Sequence, residues 1–114
     1  MNSINVIGRI TKDLEVMKTG SGVPYVRFVI AVRRKFAKEG QRNADFLPCI
    51  AWRNTAEFIA KYCAKGSMVG IHGSMQSNVY EKDDKNHYTY AINVSDVTFT
   101  GSKNSNNVNI QATA

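Results

Sequence analysis

The sequence predicts an all-β domain that contains one helix. Five apolar segments have the residue pattern of β-strands, and a sixth segment repeats its apolar residues at helical spacing. The predicted order is three strands, one helix and two strands. A chain of 114 residues suits one domain with a single hydrophobic core.

The first two predicted strands are Ser3–Ile10 and Pro24–Arg34, and the segment Thr11–Val23 between them is rich in turn-forming residues. A polar, basic loop follows at Lys35–Ala44. Because successive side chains of a strand point to opposite faces, the second strand has one apolar face and one mixed face. The apolar face holds Val26, Phe28, Ile30 and Val32, and the mixed face holds Tyr25, Arg27, Val29, Ala31 and Arg33.

The third predicted strand is Phe46–Trp52. Phe46 and Trp52 are six residues apart, an even number, so their side chains share one face. Cys49 lies on the opposite face. Pro48 cannot donate a ladder hydrogen bond, which predicts that its nitrogen faces a sheet edge or a bulge.

A helix is predicted over Thr55–Lys65. Asn54 is its expected N-cap, and Glu57 is spaced to complete a capping box. Gly66 follows the last helical residue, where a glycine commonly ends a helix. The predicted buried stripe consists of Phe58, Ile59, Tyr62 and Cys63.

Two further strands, Met68–Tyr80 and Tyr88–Phe99, are joined by the charged hairpin tip Glu81–His87. Gly70 and Gly73 interrupt the fourth strand. Such glycines predict a bulge or a sharp bend of the kind that small barrels use at their corners.

The last segment, Gly101–Ala114, is rich in Asn and Ser and is predicted to be a flexible tail, which leaves residues 1–100 as the folded domain. A helix between the third and fourth of five strands is the arrangement of the five-stranded Greek-key OB barrel. The predicted fold class is therefore all-β with one helix, in the order β-β-β-α-β-β.

The charge of the chain favours a polyanionic partner. The formal net charge is +6 and the isoelectric point about 9.5. Residues 1–53 carry ten Lys or Arg against four Asp or Glu, so they hold the whole excess. The sequence has no apolar run near the ~20 residues that span a membrane and no signal-peptide pattern, so a cytoplasmic location is expected.

No pattern of titratable residues indicates catalysis or a metal site, so the sequence predicts a protein that is not an enzyme and needs no cofactor. The cysteines are expected to be buried small hydrophobes. The histidines are expected to be ordinary strand or loop residues, and the paired acids to be solvated turn residues. These residues are Cys49, Cys63, His72, His87, Asp83 and Asp84.

Four aromatic residues lie among cationic groups on neighbouring predicted strands. Any one of them could instead be a core residue, since large aromatics are often buried. As a set they suit single-stranded nucleic acid, because every base has a π-face and every nucleotide a phosphate. The predicted stacking residues are Phe36, Phe46, Trp52 and Tyr80, and the predicted phosphate contacts are Arg34, Lys35, Arg53, Lys65 and Lys82.

The chain resembles bacterial and phage single-stranded DNA-binding proteins in five segments, which keep that family's order and spacing between residues 4 and 99. They are Val6-Ile-Gly-Arg-Ile-Thr-Lys-Asp13, Val29-Ile-Ala-Val32, Trp52-Arg-Asn-Thr-Ala-Glu57, Tyr62-Cys-Ala-Lys-Gly-Ser67 and Val69-Gly-Ile-His-Gly73. The resemblance implies an OB fold, assembly as a homotetramer, and binding of single-stranded DNA without sequence preference. It also implies a role in replication, recombination or repair and an association with the nucleoid. The family's base-stacking positions correspond to Phe36, Phe46, Trp52 and Tyr80 in this chain.

Two departures from the family pattern affect these expectations. No acid follows Asp96, so the chain resembles either a short member without an acidic C-terminal tail or a truncated form of a longer member, and recruitment of proteins through such a tail is doubtful. Several positions that are usually basic in the family hold Pro48, Asn54, Gln76, Asn78 and Val79. The electrostatic share of affinity is therefore lower, or is carried by Arg33, Arg34, Lys35 and Arg53.

Two other functions are compatible with an OB barrel. One is a primosome-type scaffold that acts mainly through protein contacts, which the aromatic set disfavours. The other is a nuclease, which needs an acidic metal cluster; residues 30–55 hold only Glu39 and Asp45 as acids. The sequence leaves open a phage or bacterial origin, the oligomeric state and the size of the binding site.

Overall fold

The computed structural model describes residues 1–36, 40, 43–101 and 110–113. Its elements, in chain order, are β1 (Ile4–Ile10), β2 (Met17–Lys18), β3 (Pro24–Arg33), β4 (Ala44–Trp52), α1 (Arg53–Tyr62), β5 (Met68–Lys82), β6 (Lys85–Gly101) and β7 (Ile110–Thr113).

Five of the strands close into a barrel. Their order is β1–β5–β6–β4–β3, and β1 also pairs with β3, which completes the ring. All neighbours are antiparallel except β4 and β6, which run parallel where Cys49 and Ile50 meet β6. The helix follows the third barrel strand along the chain. The predicted five-stranded OB barrel is therefore confirmed.

The strands β2 and β7 lie outside the ring. β2 pairs with the start of β3 and lies within the segment predicted as a turn-rich connection. β7 pairs with Asp96–Phe99 of β6, so Ile110–Thr113 differ from the predicted flexible tail. The physical reason is that β4 pairs with β6 only at Ile92 and Asn93. The backbone groups along the rest of that edge of β6 are therefore available to another strand. The remainder of the predicted tail, residues 102–109 and 114, lies outside the described residues.

The barrel interior is filled from alternate strand positions. In β3, Val26, Phe28 and Ile30 are buried, as the alternation predicted. In β4, Cys49 and Ala51 are buried. The other large core residues are Ile10, Ile59, Val69, Ile71, Ile92, Val94 and Val97. Because the interior uses one face of β3 and β4, most of the opposite face lies outside the core.

The start of α1 differs from the prediction. The helix begins at Arg53, directly after β4, and Trp52 is its N-cap, with extended backbone and no side-chain cap hydrogen bond. Asn54 is therefore not the cap, and no capping box with Glu57 forms. The reason is that Trp52 is held in the sheet opposite Tyr25, so the strand leads into the helix without a loop.

The end of α1 also comes earlier than predicted, at Tyr62. The following turn docks on β1 instead of continuing the helix: the Gly66 N–H donates to the Ile10 carbonyl at 2.7 Å. The Ala64 N–H donates to Ser67 Oγ at 2.9 Å. Gly66 has φ +93°, a left-handed conformation that glycine adopts readily. No helix in the described ranges is long and apolar enough to cross a bilayer.

The buried side of α1 is only partly the predicted stripe. Thr55, Ala56, Ile59 and Cys63 are buried, and Phe58 is half-buried. Tyr62 was predicted to be buried but is 44% exposed. The buried residue at this end of the helix is its neighbour Cys63. Its ring lies 4.9 Å from the Phe58 ring, between centroids.

Gly73 lies at a β-bulge, one of the two irregularities that the sequence predicted. The register between β5 and β6 shifts between His72 and Gly73. A Cβ on Gly73 would stand 2.2 Å from the Asn93 carbonyl oxygen, so the close approach of the two strands requires glycine. A second register shift lies between Met68 and Val69, just before Gly70, whereas Gly70 itself pairs regularly with Thr98.

Beyond the barrel, β5 and β6 form a two-stranded arm that comprises Gln76–Lys82 and Lys85–Ala91 and pairs with no other described strand. The predicted hairpin tip, Glu81–His87, is longer than the observed turn. Only Asp83 and Asp84 form the turn, with φ of 55° and 62°. Two consecutive left-handed residues suit the twist of a hairpin, so the flanking residues stay in the strands.

Candidate nucleic-acid interface

The outer face of β3 and β4 carries aromatic side chains. Tyr25 lies opposite Trp52, and Ala31 lies opposite Phe46. Phe46 and Trp52 therefore share this face, as predicted, while Cys49 is buried in the core. The Phe46 side chain is 54% exposed, so its ring is accessible to a ligand.

Trp52 packs against Tyr25 across the two strands. Their ring centroids are 5.2 Å apart and the planes are inclined by 37°. The Arg27 guanidinium carbon lies 5.9 Å from the centroid of the Tyr25 ring, which adds a cation beside the pair. Tyr25 and Arg27 lie on the predicted mixed face of this strand but were not among the predicted site residues. Both occupy odd-numbered positions of the strand, so the sequence did indicate that they share a face. The position of Tyr25 opposite Trp52 depends on strand register, which the sequence did not give.

Strand β6 and the arm continue this outer face. Ile50 of β4 pairs with Asn93, and every second residue of β6 from Asn93 towards the tip shares its face. One of these residues is His87, which lies opposite Tyr80. Their rings are stacked, with centroids 5.1 Å apart and an angle of 16° between planes. We call this surface the aromatic face, defined by Tyr25, Phe46, Trp52, Tyr80 and His87.

Phe36 lies just beyond the end of β3 and is 88% exposed. The Lys35 ammonium nitrogen lies 5.6 Å from the centroid of its ring. The structure thus brings three of the four predicted stacking residues onto one surface. Phe36 extends from the loop that follows β3.

Comparison with known proteins decides the family of this chain. The model of the single-strand binding protein family matches residues 1–100. The chain belongs to this family. The predicted resemblance is confirmed, and the observed barrel agrees with the fold that the resemblance implied.

Individual relatives within the family are similar over most of the chain. The single-stranded DNA-binding protein 3 of Clostridium acetobutylicum is 41% identical over 112 residues, which cover 95% of this chain and 78% of the relative. The single-stranded DNA-binding protein of Clostridium tetani is 42% identical over 101 residues, covering 87% and 70%. The single-stranded DNA-binding protein of Bacillus cereus is 40% identical over 106 residues, covering 91% and 62%. Against these three members of the single-strand binding family, the chain spans 62% to 78% of the relative's length.

Arg34, one of the predicted phosphate contacts, is engaged in an ion pair. Its Nε and Nη2 donate to Asp45 Oδ1 at 3.0 and 2.7 Å. This hydrogen bond and the adjacent negative charge raise the pKa of the Arg34 guanidinium. Both side chains remain nearly half exposed, so the guanidinium is charged and reachable, but a phosphate must share it with Asp45.

The other predicted cations are exposed and lie on different elements. Arg53 follows Trp52 directly and has φ +54°, a conformation that costs a non-glycine residue ~1–2 kcal/mol. Lys82 lies opposite Lys85 at the tip of the arm, on the same side as Tyr80. Lys65 lies in the turn that docks on β1 and on none of the strands that carry the aromatic face.

The cysteines are buried and unpaired by disulfide, as predicted. Burial raises the pKa of the Cys49 thiol to about 12 and that of Cys63 to about 11. Both thiols are therefore protonated at neutral pH, which makes them poor nucleophiles. Within the described residues, no group of three or more His, Cys, Asp or Glu side chains is arranged to hold a metal ion.

Proposed function

We propose that this chain binds single-stranded DNA without sequence preference and has no catalytic activity. The observation that carries the proposal is the aromatic face, an outer surface on which three of the predicted stacking residues lie on neighbouring strands. The names of the relatives support the same ligand.

The proposed mechanism combines stacking with charge. Bases stack on Phe46, Trp52 and Tyr80, and Phe36 reaches a further base from its loop; each such contact contributes about 1–3 kcal/mol by alanine substitution. Phosphates bind the nearby cations and release counterions, so affinity falls as salt rises. The cations proposed for this role are Arg34, Lys35, Arg53, Lys65 and Lys82, to which we add Arg27 beside Tyr25.

We also propose that the chain works as a homo-oligomer, a tetramer by family resemblance. Along β1, only Arg9 and Ile10 pair with β3, so the edge from Ile4 to Gly8 has no described partner on that side. Ile7 on this strand is 61% exposed. An apolar strand edge of this kind favours pairing with another chain.

The proposed location is the cytoplasm of a bacterial or phage-infected cell, in association with the nucleoid. The proposed role lies in replication, recombination or repair.

A titration tests the proposed ligand. Trp52 is the only tryptophan and belongs to the aromatic face, so its emission reports binding directly. We expect oligo-dT to quench it at concentrations far below those needed for a duplex of the same length, because only unstacked bases reach aromatic planes. Equal affinity for the two ligands at moderate salt would contradict the proposed stacking mechanism.

A primosome-type scaffold is the second candidate function. One observation favours it: the arm has a second face, opposite to Tyr80, whose apolar side chains are 55% to 60% exposed. These are Val79, Tyr88 and Tyr90, and Met75, directly before the arm, extends the face with 40% exposure. The same titration separates the candidates, since a scaffold that acts through protein contacts needs no preference for single strands.

A further inference from the structure

We propose that a small cavity beside Trp52 receives the edge of one nucleobase and that Asn54 and Asn93 hydrogen-bond to it. The inference rests on the proposed binding of single-stranded DNA and adds a base-recognition site to it. It assigns a role to Asn54, which is not the N-cap of α1 in the structure.

The cavity lies where β4 leads into α1 and meets β6. Its volume is about 240 Å³, and it is lined by Trp52, Arg53, Asn54, Asn93, Val94 and Ser95. Pockets that enclose drug-sized ligands measure about 300–1,000 Å³. A cavity below that range has the size for a single base.

The uncharged polar side chains of the cavity have no hydrogen-bond partner among the described residues. Within the described part of the chain, the side chains of Asn54, Asn93 and Ser95 make no hydrogen bond. Asn93 and Ser95 are half-buried, and Asn54 is exposed at the cavity's rim. Polar side chains that converge on a cavity without partners in the protein are available to a ligand.

The chemistry of the lining favours a base over a phosphate. A base has a flat π-face, which suits the adjoining Trp52 ring, and an edge with both hydrogen-bond donors and acceptors. A carboxamide likewise offers an oxygen acceptor and an NH₂ donor. A phosphate only accepts hydrogen bonds, so it would use the NH₂ groups of the two carboxamides and leave their oxygens without a donor. Arg53, which also lines the cavity, is the cation available to the phosphate of the same nucleotide.

The same chemistry explains how such a site tolerates any sequence. A carboxamide that rotates by half a turn exchanges its donor and acceptor positions. The edges of adenine, guanine, cytosine and thymine each present a donor beside an acceptor, in differing order. Two asparagines therefore bind the edge of whichever base stacks on Trp52, and the site adds affinity without choosing a base.

Oligo-dT with a methyl group on every thymine N3 tests the site. The methyl group removes the donor from the base edge and leaves the π-face and the phosphates in place. We expect the wild-type protein to bind unmodified oligo-dT about threefold to tenfold more tightly than the methylated strand, the worth of about one neutral hydrogen bond. Asn93→Ala should weaken binding to unmodified oligo-dT and reduce this preference, without changing the salt dependence of affinity.

Two further variants complete the test. Asn54→Ala, at an exposed position that caps nothing, should reduce the preference with unchanged thermal stability, and it decides the matter if Asn93→Ala fails to fold. Asn86→Ala is the matched control, because Asn86 lies opposite Glu81 on the other face of the arm. It should retain the full wild-type preference.

Three results would overturn the inference. The first is a wild-type protein that binds both strands equally. The second is a preference that survives in both Asn54→Ala and Asn93→Ala. The third is a reduced salt slope in either variant, which would assign the cavity to a phosphate. Failure of the wild-type protein to distinguish unmodified single strands from duplex would instead refute the proposed function, and that result is separable from these three.

Discussion

At the scale of single residues, Trp52 and Arg34 each have a structural contact and a proposed ligand contact. Trp52 ends β4, packs on Tyr25 and borders the proposed base cavity. Arg34 holds Asp45 and is proposed to meet a phosphate. Substitutions at either residue therefore need a stability measurement beside a binding measurement.

Trp52→Ala should weaken binding to single-stranded DNA by about 1–3 kcal/mol, because one stacking surface is lost. The salt slope of the affinity should stay nearly constant, because no phosphate contact is removed. Fluorescence anisotropy of a labelled oligonucleotide measures both quantities without the protein's own tryptophan. If the variant unfolds while its folded fraction binds normally, Trp52 is a core residue and its place in the site is wrong.

Arg34→Ala should reduce the salt slope by about one unit and weaken binding to all sequences alike. The variant also leaves the Asp45 carboxylate without the Arg34 partner close to Phe46, which adds repulsion towards DNA. Asp45→Asn is the informative companion: it releases the Arg34 guanidinium and should steepen the salt slope. An Asp45→Asn variant with weaker binding and a shallower slope would show that the ion pair itself positions the site.

At the scale of elements, a bulge between β5 and β6 lies where the barrel passes into the arm. His72 pairs with Asp96 and Gly73 with Val94, so Ser95 of β6 is the extra residue. Beside this bulge Gly73 lies close to the Asn93 carbonyl, and the aromatic face continues through Asn93 onto the arm. The arm then carries Tyr80 away from the barrel, stacked on His87.

Gly73→Ala should destabilise the domain by about 1–3 kcal/mol or more, because the new Cβ overlaps the Asn93 carbonyl and two backbones must separate. Gly70→Ala is the matched control in the same strand. Its Cβ would meet only ordinary contacts, the nearest at 3.7 Å, so the change in unfolding free energy should stay within ~1 kcal/mol. Urea unfolding of the two variants compares them, and equal stabilities would contradict the close approach at Gly73.

At the scale of the whole molecule, the free edge of β1 and the exposed Ile7 are apolar features that a monomer leaves in water. The proposed oligomer would bury them. Several copies would also join several aromatic faces, which lengthens the path available to one DNA strand.

Light scattering at micromolar concentration should give a mass of several chains, with four as the expected number. Ile7→Lys should lower that mass, because it places a charge at the proposed contact. Asn86→Ala, at the distant arm, should not change it. A wild-type protein that stays monomeric at these concentrations would refute the assembly.

Much of the fold and part of the site follow from residue order alone. Alternation along β3 and β4 predicted which side chains enter the core and placed Phe46 and Trp52 together, because a strand's period of two is a local property of the backbone. The order of strands and helix predicted the OB barrel. The glycine at position 73 predicted the irregular strand pairing there.

Tertiary structure alone decided the contacts between residues distant in the sequence. The register of the strands placed Tyr25 against Trp52 and His87 against Tyr80, and it brought Asp45 within hydrogen-bond distance of Arg34. The position of Trp52 in the sheet moved the helix start, so the side chain of Asn54 borders a cavity instead of capping the helix. The physical reason is that pairing across a sheet depends on how whole strands align in space, and a one-residue change in register would exchange every such contact.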